Sequence, residues 1–212
     1  MPPVRRHLNA GAVWAYSLGD LADVRARHAV TGAPTIVRSP WSGRAMRFDG
    51  ANDYVTLTAQ EYPLRFDAGT QDFSVVAWVR ITAQGDMTII DKRDGADDGW
   101  LLYTWIDGGD CGAGFSIDPD FAYNTDNLLV TDQWHCIAAT IDRSTLITVY
   151  VDGVPGTNTV DPAGEVMATT TAPRIGAQSF DAAAKFSGDI DAIAVWDRIL
   201  SLAEVQQLAG VA

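Results

Sequence analysis

Along most of the chain apolar and polar positions alternate with a period of two. In residues 72–81, Phe73, Val75, Ala77, Val79 and Ile81 fall on one face, which is the pattern of a strand rather than of a helix. Similar runs, rich in β-branched and aromatic residues, occupy 54–57, 87–90, 100–106, 134–141, 146–151 and 190–196. Between the runs stand Asp49-Gly50, Asp94-Gly95, Asp98-Gly99, Asp107-Gly108-Gly109, Asp152-Gly153 and Asp161-Pro162. Such pairs favour tight turns, because Asp bonds nearby backbone N–H groups and Gly accepts a positive φ. Many short strands joined by regular turns predict an all-β sandwich or jelly roll.

Two stretches depart from that period. Ser201-Leu202-Ala203-Glu204 has the form of a capping box, in which the Ser hydroxyl and the Glu carboxylate each satisfy an orphan N–H, and Leu202, Val205 and Leu208 follow at helical spacing. One short C-terminal helix is expected there. Residues 18–27 read as a turn or a loop. No repeat, low-complexity block or Pro/Gly/Ser linker divides the chain, so residues 1–212 are expected to form a single domain with residues 1–11 as an N-terminal arm.

Composition sharpens this picture. Of 212 residues 47% are hydrophobic and 20% charged, enough apolar material for one large core. The 27 acidic residues are 24 Asp and only 3 Glu, against 13 Arg and 2 Lys, a composition of turns and loops rather than exposed helices. The formal net charge of −12 repels phosphate backbones and anionic lipid, so nucleic acid is not an expected partner. No window approaches the roughly 20 apolar residues needed to cross a bilayer, so no membrane insertion is expected. The basic N-terminus is not followed by a sustained apolar stretch, and no secretory signal is read there. Arg5, Arg6, Arg25 and Arg27 form a basic concentration that suits a solvated face, or contact with an acidic neighbour or another copy of the chain. Cys111 and Cys136 are too few for a disulfide framework and lack zinc-ligand spacing. They are either two buried free thiols or one disulfide.

The order of segments resembles the laminin G-like, concanavalin A-like lectin/glucanase superfamily, in particular its bacterial and phage branch, which is also similar to pentraxins. The resemblance runs from about Val13 to Gly210. It is carried by Gly43-Arg44-Ala45-Met46-Arg47-Phe48-Asp49-Gly50-Ala51-Asn52-Asp53-Tyr54-Val55 and by Phe73-Ser74-Val75-Val76-Ala77-Trp78-Val79. Further along it is carried by Asp132-Gln133-Trp134-His135, Val149-Tyr150-Val151-Asp152-Gly153, Arg174-Ile175-Gly176 and the stretch from Phe186 to Ser201. It implies a concanavalin A-like jelly-roll β-sandwich. Function is not implied, since that fold serves lectins, adhesion modules, glycosidases and virion proteins. Cys136 stands where family members often carry a second His, and the pentraxin disulfide is not carried over.

Three chemistries come into question for these residues. Related laminarinase-like enzymes place two carboxylates about 5–5.5 Å apart on one strand face, in a Glu-x-Asp-x-Glu motif. Here Glu61, Glu165 and Glu204 lack any such partner. His7, His28 and His135 are the only histidines and none adjoins a nucleophile elbow, so no enzyme is expected and His135 reads as a packing residue. For calcium, the resemblance aligns Asp191 with a position that in related folds reaches a structural ion. Asp20 and Asp49 are the helpers nearest to it, and Asp97 and Asp98 are candidates for a second site in a rim loop, since Asp-rich loops supply hard oxygen ligands. The alternative is that these Asp residues close turns.

For ligand binding, alternation from Gly99 puts Leu101, Tyr103 and Trp105 on one face, with Phe121 and Tyr123 in a loop just beyond. Aromatic faces stack on the C–H surfaces of sugar rings, and Asn124, with Asp126 and Asn127, is placed to bond hydroxyls. The alternative makes Trp100, Tyr103 and Trp105 core. Trp41, beside Pro40, is the Trp expected to be exposed. Together these readings give a non-catalytic binding or assembly module. A bacteriophage virion surface protein, on head or tail, is the leading form, touching other virion proteins or cell-surface glycans. A secreted or cell-surface Ca²⁺-dependent bacterial lectin is the alternative.

Overall fold

The structure, a computed structural model, describes residues 11–58, 71–95, 98–117, 120–167 and 169–211. In chain order its elements are β1 (Trp14–Ser17), α1 (Leu21–Arg27), β2 (Ala29–Thr31), β3 (Thr35–Ser39), β4 (Gly43–Asp49) and β5 (Tyr54–Thr56). Then come β6 (Phe73–Ile81), β7 (Met87–Asp91), β8 (Leu101–Asp107), β9 (Asp110–Ser116), β10 (Phe121–Asn124) and β11 (Trp134–Ile141). The chain ends with β12 (Ile147–Val151), β13 (Val154–Pro155), β14 (Arg174–Ile175), β15 (Ser187–Trp196) and α2 (Leu202–Ala209). One sheet has the order β13-β12-β11-β6-β15-β4-β3, with β1 also paired to β15, and the other has the order β10-β9-β8-β7-β14-β5-β2. The molecule is a jelly-roll β-sandwich.

The alternation in β6 is what fixes its place. Phe73, Val75, Ala77, Val79 and Ile81 are all buried in the core between the sheets. There Phe73 meets Trp100 and Phe115 of the facing sheet, with ring centroids at 5.7 and 6.1 Å, and Trp100 stacks on Phe115 at 5.9 Å. The other face of β6 is buried as well. Val76 and Trp78 pack with Trp196, Leu200, Val205 and Leu208 in a second cluster, under the C-terminal helix. Trp41 belongs to that cluster, its ring 6.2 Å from Trp78. Its expected exposure is therefore corrected: the β3–β4 turn folds Trp41 down onto the apolar surface that α2 closes.

Local chemistry accounts for both helices. Ser201 and Glu204 form the reciprocal capping box read from the sequence, and Gly210 ends α2 in the left-handed region. The 18–27 segment is a helix from Leu21, capped by the Asp20 carboxylate, which accepts from Ala22 N at 3.0 Å and Asp23 N at 3.1 Å. Seven residues with Val24 as the one buried position are too few to display a helical period, which is why the sequence left turn and loop open. The Asp49-Gly50-Ala51-Asn52-Asp53 segment is a turn built by its carboxylates. Asp49 Oδ1 accepts from the N–H groups of Ala51 and Asn52 at 2.8 and 2.9 Å, and Asp53 accepts from Ala33 N at 2.7 Å.

The two thiols lie in different layers and are free. Cys111 is part of the core between the sheets, whereas Cys136 is in the outer cluster beneath α2. Of the basic concentration, Arg27 pairs with Asp23 at 3.0 Å on α1. Arg5, Arg6 and the proposed arm up to residue 10 lie outside the described residues. No helix among the described residues is long and apolar enough to cross a membrane.

Candidate functional site: an aromatic sheet face between two cavities

On the face of the second sheet turned away from the core, four aromatic side chains converge. Tyr103 and Trp105 stand on β8, two residues apart and so on one face. Phe121 and Tyr123 stand on β10, paired to β9, which in turn pairs to β8. β10 corrects the expectation of a loop at this point. The strand between contributes Gly112 and Gly114 to the same face, opposite Trp105 and Tyr103, so the rings close over β9 without obstruction.

Centroids of Tyr103 and Trp105 are 6.1 Å apart with rings nearly perpendicular, Trp105 is 5.3 Å from Phe121 and 5.9 Å from Tyr123, and Phe121 stacks on Tyr123 at 5.9 Å. Tyr103 is 9% exposed and Phe121 39%, with Trp105 and Tyr123 half-buried. The ring edges therefore grade from embedded to open. Burial, followed by the Asp86 carboxylate, pushes the Tyr103 hydroxyl well above its ordinary value, which keeps it protonated and able to donate.

A cavity of about 200 Å³ flanks each end of this ridge. One is lined by Asp107, Tyr123, Thr125, Asp126, Thr157 and Asn158. The other is walled by residues including Asp86, Thr88, Arg93, Tyr103, Ser116 and Gln178. β7 enters this second wall through a bulge between Thr88 and Ile90, which turns Thr88 to the outer face while Ile89 and Ile90 both reach the core. Arg93 is held by Asp91, Nε to Oδ1 at 3.2 Å and Nη2 to Oδ2 at 3.3 Å, with its guanidinium 5.7 Å from the Phe180 ring.

Asn124 does not join the site. It is wholly buried; its amide donates to the Val149 and Val154 carbonyls at 3.2 and 2.7 Å, and its Oδ1 accepts from Asp126 N and Asn127 N at 3.0 and 3.1 Å. It stitches β10 to the opposite sheet, so its hydrogen-bonding capacity is used within the fold. His135 is likewise structural in its surroundings, with Nδ1 2.7 Å from Asp152 Oδ2 and Nε2 3.0 Å from Val130 N.

Of the residues considered for calcium, the described ones have local hydrogen-bonding roles. Asp191 sits at a bulge in β15, wholly buried, with its carboxylate taking the Ser39 and Ser42 hydroxyls and the Ser42 N–H at 2.9 Å. Asp20 caps α1 and Asp49 closes its own turn; those N–H groups also hold the Asp49 carboxyl below its ordinary value. Asp98 accepts from Asp94 N at 3.0 Å through its carbonyl, and Asp97 lies outside the described residues. Among the described residues no three His, Cys, Asp or Glu side chains gather as a metal site. The Asp191, Asp20 and Asp49 carboxylates thus each accept hydrogen bonds from nearby backbone or hydroxyl groups.

The sequence reading missed Thr88, Arg93 and Gln178 as wall residues, and Gly112 and Gly114 as the gap. The signal that could have found the glycines is their spacing: Gly112 and Gly114 fall on alternate positions of a strand beside an aromatic one.

The chain matches the family model described as the concanavalin A-like lectin/glucanases superfamily over residues 49–206. No curated protein matches the sequence. Among solved structures, the binding domain of Paraclostridial Mosquitocidal Protein 1 superposes with a TM-score of 0.70 at 14% identity, over 95% of this chain and 52% of that one. Domain 4 of AbnA, a GH43 extracellular arabinanase from Geobacillus stearothermophilus, in complex with arabinotriose, gives 0.66 at 19% identity over 94% and 97% of the two chains. The SAP-like pentraxin of Limulus polyphemus gives 0.54 at 17% identity over 68% and 72%. The chain spans about half the length of the toxin binding domain that it matches. At these identities the likeness is one of fold.

Proposed function

The chain belongs to the concanavalin A-like lectin/glucanases superfamily, and from that premise we propose that it is a non-catalytic module that binds carbohydrate on its open aromatic face. The observation that carries this reading is the partly exposed cluster of Tyr103, Trp105, Phe121 and Tyr123 on the outer face of the second sheet, with two cavities beside it, one walled by Tyr103 and the other by Tyr123. Phe121 is exposed and Trp105 and Tyr123 are half-buried, and contiguous apolar surface of this kind marks a binding site. Sugar rings offer the matching chemistry, with apolar C–H faces for the rings and hydroxyls for the Asp, Thr and Asn side chains of the rim. The complex of AbnA domain 4 with arabinotriose supports the choice of a glycan over a small apolar ligand.

The test is a glycan array run in Ca²⁺ and again in EGTA, followed by calorimetry on Trp105→Ala and Tyr123→Ala. Each substitution is expected to abolish binding of an array hit while the melting temperature stays within the range of a surface change. Retention of full affinity by both would reject this face. Equal binding in the two buffers would show recognition that does not depend on calcium. The wider setting we propose is the surface of a bacteriophage particle, where the module would dock on virion proteins or touch host glycan. Mass spectrometry of purified particles tests that placement, and absence of the chain would favour a secreted or cell-surface lectin.

A further inference from the structure

We infer that the end of the sandwich where β6 leads into β7 is a self-complementary docking surface through which two copies of the chain pair, the acidic β8–β9 hairpin of each lying against a basic row on the first sheet of the other. The inference stands apart from the carbohydrate reading. It rests on a row of side chains, a loop and a hairpin.

The row is set by strand register. Trp134 of β11 is paired with Arg80 of β6, Arg80 with Asp189 of β15, Asp189 with Arg47 of β4, and Arg47 with Thr35 of the edge strand β3, so these five residues share one face. That face is the outer one, because the alternate residues Val79, Ile81 and Ile190 belong to the core between the sheets. Two guanidinium groups share the one buried carboxylate: Arg47 Nε and Nη2 donate to Asp189 at 2.7 and 3.1 Å, and Arg80 Nε donates at 2.6 Å. One positive charge is left over, and the Nη1 groups of both arginines are not used in the pairing. Arg80 also lies 5.8 Å over the Trp134 ring. Asp132 acts on Arg47 through space as the smallest of the influences on it. Arginine and tryptophan held rigidly at the surface are the residues that carry protein interfaces.

The loop over residues 128–133 ties this row to the acidic hairpin. Leu129 N donates to Cys111 O at the root of β9, at 2.7 Å, and Asp132 N donates to Ile81 O at the end of β6, at 2.8 Å. On the loop Leu128 and Val130 are 37% and 45% exposed, which puts apolar surface between the two charged parts. The hairpin Asp107-Gly108-Gly109-Asp110 is exposed at all four residues. It projects freely: both glycines have positive φ, and nothing lies within 4 Å of the place where a Cβ on either would stand. No Arg or Lys among the described residues pairs with Asp107 or Asp110.

Basic, apolar and acidic surface at one end complement each other when the end is turned on itself. Across a two-fold axis each hairpin gives its carboxylates to the other copy's arginines, so every contact is made twice and Leu128 and Val130 are covered between them. The charge balance favours a second copy as the occupant. With 27 acidic residues against 15 basic ones, copies repel each other over most of their surface and attract where guanidinium charge is in excess.

Sedimentation velocity over a concentration series reaching about 200 µM, in about 0.15 M salt so that only charges within about 8 Å act strongly on each other, tests this. The parent is expected to pass from monomer to dimer along the series. Because Arg47 and Arg80 also hold Asp189, the variants are placed at exposed positions instead: Asp110→Lys on the hairpin and Thr35→Glu beside Arg47. Each is expected to weaken pairing at least about tenfold, although Asp110→Lys lowers the overall repulsion between copies. The double variant is expected to recover most of the loss, since the exchanged charges meet again across the axis, and melting temperatures should match the parent throughout. A parent that stays monomeric, single variants that pair as tightly as the parent, or a double variant no better than the singles would each overturn the inference. Capture of polyglutamate by a parent that stays monomeric would assign the row to a foreign acidic partner and overturn the self-pairing as well.

Discussion

Gly114 lies on β9 with Tyr103 paired on one side and Tyr123 on the other. A Cβ there would come to 2.5 Å from Tyr103 Cζ and 2.6 Å from Cε1, well inside contact distance, so the ring owes its position flat against the strand to the missing side chain. Gly114→Ala is expected to lift Tyr103 off the sheet and weaken glycan binding severalfold. Its stability cost should be about 1–3 kcal/mol, the usual scale for overpacking, and calorimetry beside a urea melt separates the two effects. Asp189 is the other residue on which much depends. Its wholly buried carboxylate takes Arg47 Nε at 2.7 Å and Nη2 at 3.1 Å, and Arg80 Nε at 2.6 Å, joining β15 to β4 and β6. Removing one partner of a buried pair costs about 3–5 kcal/mol. Since both guanidinium groups keep some water, Asp189→Ala should fall at about 3 kcal/mol, read as a lower urea midpoint with an unchanged slope.

At the scale of elements, α2 is the piece whose stability should answer to pH. Its capping carboxylate, Glu204, is drawn down from 4.5 to about 2 by its hydrogen bonds from Arg198 and then from the Ser201 N–H. Because the folded value lies below the unfolded one, the stabilisation is present in full above pH 4.5 and is lost as the pH falls from there through about 2. Acid titration by NMR should show α2 fraying in that window before the sheets are affected, and Glu204→Gln should flatten the pH dependence. The capping box was legible in the sequence because four residues state it completely. β6 and β11 were legible as long, mostly apolar runs with β-branched and aromatic residues. β9 was not, because Asp110-Cys111-Gly112-Ala113-Gly114-Phe115-Ser116 puts glycines on its outer face and so lacks the β-branched residues by which strands are recognised. The pair Tyr103 and Trp105 could be placed on one face by spacing alone. Which way that face pointed could not be read until the second sheet showed that Trp100 and Phe115 fill the core. The structural role of Asn124 was not legible for a physical reason: an amide is equally suited to a ligand hydroxyl and to the carbonyls of Val149 and Val154, on two strands of the opposite sheet.

Across the whole molecule the two outer faces have opposite treatment. The first sheet packs its outer face against α2 in a second apolar cluster, while the second sheet carries the partly exposed aromatic cluster on its own outer face, and on the proposed reading this asymmetry leaves the part of one layer under α2 to the fold and the other layer to a ligand. It also separates the cysteines, with Cys111 between the sheets and Cys136 outside the first of them. Burial raises both thiols above their ordinary value, Cys136 with a further push from Asp152, so at neutral pH neither supplies the thiolate that disulfide exchange or alkylation requires. A bridge between them would have to cross a packed layer, against the short Cα separation that a disulfide demands. The native protein should therefore leave both thiols unreactive toward a disulfide reagent such as dithionitrobenzoate, release two equivalents once unfolded in guanidinium, and melt at the same temperature with or without reductant. Rapid labelling of the native state, or a melting temperature that falls when reductant is added, would mean that the two layers do not part the thiols as this packing requires.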